Sequence, residues 1–342
     1  MRGRRLRQTA GAALTSTWVR PVSDVTILGA GVAGLWGAWA LTGAGLSVRL
    51  IDRTGAPGPH GCSWWAGGML APFCEGAVAE PAVVRHGMDA AAAWAEVTDV
   101  HHHGSLVVAL ARDRGELARF ARRTEGHRSV EDLAALEPDL PGVGTALFYD
   151  AEAHLDPRRA LDDLVAALAA RGVRVEVAEA TPEDIAGPVI DARGLAAALP
   201  GLRGVRGEMA VLRAPDIRLT RPVRLLHPRH PLYIVPRAGG LYMLGATQIE
   251  STDRRGITAR SLMELVGAAY ALDPRFGEAE VVETGADLRP SFADNVPRVV
   301  VRGRVVHLNG LFRHGYLMAP ALARQAAAYL TQGIKGDLVH EG

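Results

Sequence analysis

The stretch VTILGAGVAGLWGAWALTGAGLSVRLIDR, residues 25–53, predicts a strand, a glycine turn, a helix and a second strand that ends in an acid. Gly29, Gly31 and Gly34 suit a tight turn, a close approach of backbone to a pyrophosphate, and close packing of helix on strand. The free amides at the start of the helix would face that pyrophosphate. Asp52, at the end of the second strand, could accept hydrogen bonds from ribose hydroxyls. Together these features predict a dinucleotide-binding unit.

The composition is that of a globular protein, with 48% apolar and 22% charged residues. A length of 342 residues suggests about two domains, one of which could be inserted into the other. The net charge of +1 gives no reason to expect binding to nucleic acid or to an anionic membrane. No apolar run reaches the roughly 18–20 residues of a membrane span.

The basic residues are almost all arginine, and Lys335 is the single lysine. It stands in a Gly-flanked segment, which excludes both a P-loop and Schiff-base chemistry. Cys62 and Cys74 fit neither a redox pair nor a zinc site, and we expect reduced thiols in a cytoplasmic protein. A cofactor linked covalently to Cys62 is the less favoured alternative. Adjacent side chains on a strand point in alternating directions, so His101–His103 is expected to be a loop or strand edge and not a metal site.

Residues 1–22 are basic and contain no acid. They lack the sustained apolar core of an export signal. We therefore expect a disordered tail or a start codon placed too far upstream.

Hydrophobic periodicity predicts alternating strands and helices in the early and late thirds, and a hairpin-rich segment at 205–245. Arg237–Gly240 is the expected turn of one hairpin. The predicted fold is an α/β nucleotide-binding domain interrupted by an antiparallel sheet domain. Helices are expected at 32–44, 81–97, 114–123, 157–171, 258–271 and 316–330. Strands are expected at 24–28, 46–51, 105–110, 144–149, 173–178, 187–191, 205–212, 231–237, 240–245, 280–287, 297–301 and 304–309.

Five motifs, taken in order after the fingerprint, resemble the D-amino-acid oxidase superfamily, and within it the glycine oxidases of thiamine biosynthesis. They are Cys62–Leu70 (CSWWAGGML), Tyr233–Arg237 (YIVPR), Leu244–Thr247 (LGAT), Leu288–Pro290 (LRP) and Phe312–Gly315 (FRHG). The resemblance implies a Rossmann-like FAD-binding domain with an inserted antiparallel-sheet (α+β) substrate domain. The implied FAD-binding domain comprises 23–80, 150–204 and 285–335, and the implied substrate domain comprises 81–149 and 205–284.

The cofactor is expected to be noncovalent FAD, because the chain has one fingerprint and no second one to hold a nicotinamide. Backbone at Gly67–Met69 could pass close to a flat ring, and Gly310–Gly315 leads into a second helix start. The resemblance implies that FAD is held by Gly29, Gly31, Val32, Ala33, Gly34, Asp52, Arg53, Ser63, Ala66, Gly67, Gly68, Met69, Val177, Gly310, Arg313, His314, Gly315, Tyr316 and Leu317.

Three residues are expected to form the catalytic site. The guanidinium of Arg289 matches a carboxylate with two parallel donors, and the resemblance makes it the substrate's carboxylate anchor. Tyr233 is implied as the second carboxylate contact, and Arg313 as a contact to substrate or flavin. His230 and His314 lie near substrate-site positions, where an ordinary hydrogen-bonded role is equally expected. The tryptophans 64–65 and Asp287 depart from the family pattern, which leaves the substrate open.

The implied reaction is FAD-dependent oxidative deamination of glycine or another small amino acid, with oxygen reduced to peroxide. The imine would supply thiazole synthesis for thiamine, and a contact with thiazole synthase and a homo-oligomer are left open. Oxygen reduction would need a nearby cation, either Arg313, a protonated His314 or the product. Two alternatives remain: a D-amino-acid dehydrogenase that passes electrons to a quinone or carrier, and a non-catalytic flavin-binding subunit.

Overall fold

The computed structural model describes residues 24–140, 143–227 and 231–342. The tail expected at 1–22 and the candidate His230 lie outside these ranges. Eight helices and eighteen strands are found within the described part of the chain. The helices are α1 (Val32–Gly43), α2 (Pro72–Glu75), α3 (Pro81–Gly87), α4 (Ala90–Ala95), α5 (Arg114–Ala121), α6 (Pro157–Ala170), α7 (Ala259–Leu272) and α8 (Gly315–Gln332). The strands are β1 (Val25–Leu28), β2 (Val48–Asp52), β3 (Met69–Leu70), β4 (Ser105–Ala109), β5 (Arg128–Val130), β6 (Ala146–Tyr149), β7 (Ala153–His154), β8 (Val175–Val177), β9 (Val189–Asp191), β10 (Arg203–Arg213), β11 (Val223–Leu226), β12 (Leu232–Arg237), β13 (Leu241–Gly245), β14 (Ile249–Glu250), β15 (Glu280–Ser291), β16 (Arg298–Arg302), β17 (Val305–Asn309) and β18 (Val339–Glu341).

The first sheet has seven strands in the order β18-β16-β17-β9-β1-β2-β8. Strand β1 lies near its centre and pairs in parallel with β2 and β9, while β17 extends the parallel set on the other side of β9. Helices α1 and α8 pack against each other and contribute many of the buried residues of the largest apolar core. Parallel strands that end together place their carboxyl ends at one edge, which is where ligands bind in such sheets. The glycine turn after β1 lies at that edge.

The second sheet is mostly antiparallel and has nine strands, eight of them in the order β14-β10-β13-β12-β11-β4-β6-β5, with β15 paired to β10. The β10–β15 pair is long, and it places Arg289 opposite Val205. The expected hairpin joins β12 to β13, and its turn contains Gly239 and Gly240 with φ of +75° and +69°. The α/β fold class with an antiparallel second sheet is therefore confirmed. The exact domain boundaries stay a prediction.

The predicted secondary structure was wrong at one helix, and it missed the short helix α2 and several short strands, namely β3, β5, β7, β11, β14 and β18. The single helix expected at 81–97 is divided into α3 and α4, with the break where Gly87 packs against Leu317. A Cβ on Gly87 would lie 2.8 Å from the Leu317 side chain. Strand β11 was not predicted, because it spans only four residues and Arg224 interrupts its apolar pattern.

Histidines 101 and 103 come together, contrary to the expected divergence, because residues two apart on an extended chain share a face. Their ring centroids are 5.9 Å apart, and both lie near His154 of β7, at 5.0 and 6.3 Å. Across residues 24–140, 143–227 and 231–342, no three or more His, Cys, Asp or Glu side chains are arranged to hold a metal ion. In the same ranges no helix combines the length and the apolar character needed to cross a bilayer.

Candidate active site

One cavity of about 1140 Å³ extends from the glycine turn after β1 to strands β12 and β15 of the second sheet. It brings together residues from both ends of the chain, and most of the predicted site residues line it. These are Gly29, Gly31, Val32, Ala33, Asp52, Arg53, Ser63, Ala66, Gly67, Gly68, Met69, Tyr233, Arg289, Arg313, His314, Gly315, Tyr316 and Leu317. Gly34, Val177 and Gly310 are not in its lining. The side chain of Val177 is exposed on β8, and Ala178–Ala180 line the cavity beside it.

The glycines of the fingerprint leave room for backbone alone. Gly29 has φ of +100°, and a Cβ there would lie 2.7 Å from the carbonyl oxygen of Ala192. Gly34 sits directly against Gly29, since its Cβ would be 1.8 Å from the Gly29 carbonyl oxygen. Gly34 therefore sets how closely α1 packs on the turn, while Gly31 faces the cavity. At the helix start, the amide of Val32 donates to Ser63 Oγ at 3.1 Å.

Asp52 lies at the end of β2, beside the same turn. Its Oδ2 accepts a hydrogen bond from the amide of Ala30 at 2.9 Å, and its Oδ1 accepts one from the amide of Thr54 at 2.8 Å. Burial opposes ionisation of Asp52, but these hydrogen bonds outweigh it and hold the pKa of the carboxyl below its ordinary value. The carboxylate is thus charged and oriented at the point where the fingerprint predicts a ribose.

The segment from Gly67 to Met69 presents bare backbone to the middle of the cavity. Gly68 has φ of +75°, and a Cβ on it would lie 2.3 Å from the carbonyl oxygen of Leu155. Arg237 fixes the segment by donating to the carbonyl oxygens of Gly67 at 2.8 Å and Leu155 at 2.9 Å. A planar ring could therefore approach this backbone without meeting a side chain at Gly67 or Gly68.

Helix α8 provides the second helix start at the cavity. Tyr316, in its first turn, is buried, and its hydroxyl lies within hydrogen-bond distance of two carbonyl oxygens, 3.1 Å from that of Ser63 and 3.0 Å from that of Pro157, and can donate to either. This hydroxyl ties α8 to the segment that caps α1. Gly310 leads into the turn with φ of +77°, and a Cβ there would lie 2.3 Å from the ring of Phe292. Two helix starts therefore face one cavity, and each favours negative charge.

These residues fit FAD. The glycine turn with Gly31 at the cavity, the two helix starts and the oriented Asp52 carboxylate match a pyrophosphate and a ribose, and the glycines at 67 and 68 leave room for a flat ring. The cavity volume of about 1140 Å³ leaves further space beside β12 and β15 for a small molecule. The glycine-turn end and the second-sheet end thus differ in chemistry: the first suits a dinucleotide, and the second carries guanidinium groups.

At the second-sheet end, the Arg289 side chain lies across strand β10. Gly207 makes this position available, because a Cβ on Gly207 would lie 2.2 Å from the guanidinium carbon. The Nη1 of Arg289 donates to the carbonyl oxygen of Thr247 at 3.1 Å. Burial lowers the pKa of Arg289 and the nearby Tyr233 partly offsets this effect. Among the described residues, no carboxylate forms an ion pair with Arg289.

Tyr233 is placed by two glycines. A Cβ on Gly67 would lie 3.0 Å from its Cε2 atom, and a Cβ on Gly245 would lie 2.6 Å from the same atom. The ring therefore occupies space that any other residue at 67 or 245 would take. The Tyr233 ring therefore lies between strand β12 and the backbone at Gly67. Tyr233 also interacts electrostatically with Arg289, so the two predicted carboxylate contacts lie in the same part of the cavity.

Arg313 also lines the cavity, but its guanidinium is already in an ion pair with Glu75 of α2. Glu75 Oε1 accepts a second ion pair from Nη2 of Arg224, on β11, at 2.8 Å. Sequence reasoning missed both Glu75 and Arg224. The signal for Arg224 was a charged residue between the apolar Val223 and Leu225, which is how a strand presents one side chain to a polar site.

His314 is buried beside Glu75, with its Nδ1 atom 3.5 Å from Oε2. Burial lowers the pKa of His314 to about 4, even though Glu75 acts in the opposite direction. This shift favours a neutral ring near pH 7, and so it favours Arg313 or the product over a protonated His314 as the cation for oxygen reduction; the choice among them stays a prediction. Cys62 also lines the cavity, and burial raises the pKa of its thiol to about 12. A protonated thiol is a poor nucleophile, which disfavours a covalent link at Cys62.

The tryptophans at 64–65 both narrow the cavity and fill apolar cores. Both line the cavity, and both also pack against apolar cores. The Arg158 guanidinium lies 4.6 Å and 5.5 Å from the two ring centroids. Gly285 makes room for Trp65, since a Cβ there would lie 2.2 Å from that ring. Asp287 shares a face of β15 with Arg289, and burial raises its pKa.

Comparisons with known proteins agree with this description. The family described as FAD dependent oxidoreductase (DAO) matches residues 24–329. A Rhizobium etli protein, provisionally named thiamine biosynthesis oxidoreductase ThiO, is 52% identical over 314 residues, which cover 90% of this chain and 96% of that protein. The glycine oxidase of Pseudomonas aeruginosa is 25% identical, over 89% of this chain and 93% of its own length.

The fold has a close counterpart among solved structures. The crystal structure of glycine oxidase from Geobacillus kaustophilus superposes with a TM-score of 0.77 at 23% identity, over 92% of this chain and 96% of that one. At this identity the likeness concerns the fold alone. The match of the family to most of the chain, together with the fit of the cavity to FAD, decides the family. This chain is an enzyme of the DAO family of FAD-dependent oxidoreductases.

Proposed function

We propose that this enzyme oxidises glycine, or another small amino acid, to its imine. The observation that carries the proposal is Arg289, a half-buried guanidinium in the cavity that has a carbonyl oxygen but no carboxylate as partner among the described residues. Such a group suits a substrate carboxylate, which would provide the missing charge and two acceptors. The name of the Rhizobium etli relative and the glycine oxidase of Pseudomonas aeruginosa support a small amino acid and a role in thiamine synthesis.

Arg289 and Tyr233 would hold the substrate by its carboxylate. The guanidinium donates two parallel N–H groups, and the Tyr233 hydroxyl donates a further hydrogen bond from the β12 side. Fixing one end of a small molecule orients the rest of it, which is how positioning lowers a reaction barrier. The bound FAD supplies the acceptor for the hydride that leaves the substrate's α-carbon.

The substrate's amino group must be neutral before hydride can leave the α-carbon. The described groups around Arg289 offer no base matched to an ammonium: Glu75 is held ionised by two guanidiniums, and His314 has a pKa of about 4. The amine would therefore enter as the free base, and turnover with glycine should increase as pH rises toward the pKa of the substrate ammonium. The chain's task is then to bind, orient and exclude water.

The overall reaction is balanced by oxygen. The amino acid loses two electrons and two protons to give the imine, and oxygen takes up the same electrons and protons to give hydrogen peroxide. The imine feeds thiazole synthesis, or hydrolyses to glyoxylate and ammonia. A contact with thiazole synthase, a homo-oligomer and a cytoplasmic location stay predictions.

Anaerobic mixing of the purified enzyme with glycine, sarcosine, D-alanine and D-proline tests the proposal. We expect the flavin absorbance to bleach with at least one of them, and peroxide to appear when oxygen is admitted. Bleaching without peroxide, followed by rapid reduction of an artificial quinone, would instead make the enzyme a dehydrogenase. A flavin that none of these amino acids reduces would contradict the small-amino-acid reading.

A further inference from the structure

Glu75 is a carboxylate that lines the cavity in which we propose that the substrate carboxylate binds. It ends the short helix α2, and its side chain is 12% exposed. Burial opposes its ionisation, but the charges of Arg313 and Arg224 outweigh this and hold the pKa of Glu75 well below its ordinary value. Glu75 is therefore negative at every pH at which the enzyme would work.

The ion pairs of Glu75 distinguish Arg313 and Arg224 from Arg289 among the arginines that line the cavity. Arg313 and Arg224 share the Glu75 carboxylate, one on each oxygen. Within residues 24–140, 143–227 and 231–342, the partner of the Arg289 guanidinium is the carbonyl oxygen of Thr247 and not a carboxylate. The neighbouring His314 adds no charge near pH 7, because its pKa is about 4. One guanidinium is thus free for a substrate carboxylate, while the other two are held by the protein.

From this arrangement we infer that Glu75 is a specificity-determining residue, which restricts the enzyme to amino acids with a single carboxylate. This inference rests on the proposed function of the same site. A second carboxylate on the substrate could reach Arg313 or Arg224 only by approaching Glu75. Glu75 carries the same negative charge and already forms an ion pair with each of these two arginines. Juxtaposed like charges are a strong means of rejecting a wrong partner. Glycine and D-alanine carry one carboxylate and should be accepted as substrates. Amino dicarboxylates such as iminodiacetate and D-aspartate should be rejected.

Removal of the charge should reverse the discrimination. In Glu75→Gln the Arg313 and Arg224 guanidiniums lose their ionic partner and become available to a second substrate carboxylate. We expect the ratio of kcat/KM for iminodiacetate to kcat/KM for glycine to rise at least about tenfold in Glu75→Gln, because the substitution removes an unfavourable contact between like charges. Glu75→Asp keeps the charge and should keep the wild-type ratio. Glu116→Gln removes a carboxylate that also lines the cavity but pairs with Arg119, and it should leave the ratio unchanged.

A binding measurement separates this inference from the proposed function. Acetate and malonate bind without turnover, and each would perturb the flavin absorbance of the oxidised holoenzyme. The wild type should bind acetate at least about tenfold more tightly than malonate, and Glu75→Gln should lose this preference. If glycine fails to reduce the wild-type flavin, the proposed function fails, while the acetate-to-malonate ratio still reports on Glu75.

The inference is overturned by either of two results. One is a wild-type enzyme that binds malonate as tightly as acetate, a result that does not depend on whether Glu75→Gln folds. The other is a folded Glu75→Gln enzyme, with normal flavin content, whose two ratios stay within twofold of wild type.

Discussion

Replacing Gly207 by alanine would move the Arg289 guanidinium without changing Arg289 itself. A Cβ at 207 would lie 2.2 Å from the guanidinium carbon, and ordinary contact begins at 3.4 Å, so the group must retreat by about 1.2 Å. The atom that has to move is the far end of a flexible side chain, and the backbone at 207 is ordinary strand. Stability should therefore change little, and the substitution could add roughly 0.4–1 kcal/mol by restricting the unfolded chain.

The effect on catalysis should be much larger. A hydrogen bond of about 2.9 Å that is stretched by about 1.2 Å is no longer a hydrogen bond. Loss of one hydrogen bond to a charged group costs about 1.5–3 kcal/mol, or roughly 10- to 150-fold in kcat/KM. The assay is anaerobic flavin reduction at varied glycine concentration, with flavin content and Tm measured on the same preparation.

Gly267→Ala is the matched control. Gly267 lies in helix α7, where a Cβ would meet nothing within 4 Å, and the substitution should leave kcat/KM unchanged. A Gly207→Ala enzyme with normal flavin content and a kcat/KM within threefold of wild type would refute the placement of the substrate carboxylate on Arg289. Loss of flavin or a sharp fall in Tm would show that Gly207 matters for the fold instead.

Three further predictions follow from the site. Arg289→Ala should retain FAD but lose roughly 30-fold or more in kcat/KM, because truncating one side of a buried charge pair costs about 2–5 kcal/mol. Tyr233→Phe should cost less, about 0.5–3 kcal/mol. If flavin reduction shows a larger loss for Tyr233→Phe than for Arg289→Ala, the assignment of the carboxylate anchor is contradicted. Gly31→Val should yield protein without flavin on acid release, since a side chain there would occupy the pyrophosphate position; a yellow variant would contradict this. The pKa of His154 is lowered to about 3 and that of His314 to about 4, so each should destabilise the fold by up to roughly 1.4 kcal/mol per pH unit as pH falls below about 6.5. Urea unfolding of wild type and His154→Gln at pH 7 and pH 5 checks this, and equal losses in both would exclude His154 as a cause.

The dinucleotide end of the site could be predicted because its requirements are local in sequence. Gly34 must be bare because Gly29 of the same turn lies against it, Gly29 takes the positive φ of that turn, and Asp52 is one strand away. The location of Arg289 and Tyr233 in the same cavity could also be predicted, since each lies in a short motif that resembles the family pattern. The parallel first sheet followed from the alternation of strand and helix.

The ion-pair system around Glu75 could not be predicted in the same way. Its partners are 149 residues away at Arg224 and 238 residues away at Arg313, and one of them lies on the short strand β11. Only the tertiary structure shows that Arg313 is held by a carboxylate and that Arg289 is not. The meeting of His154 with the histidines at 101 and 103 is hidden for the same reason, because β7 supplies the third ring.

The position of β1 in the middle of its sheet has a consequence for how the protein is made. The ribosome releases β1, α1 and β2 early, but β9 and β17 follow much later, and α8 is the last helix of the described chain. Helix α1 is buried on most of its surface, so a nascent chain carries it without its cover for most of synthesis. Until the start of α8 is made, the cavity lacks the part of its lining that Gly315–Leu317 provide. Loading of the cofactor therefore belongs to the completed polypeptide, and until then the apolar helix is exposed to aggregation and to chaperones.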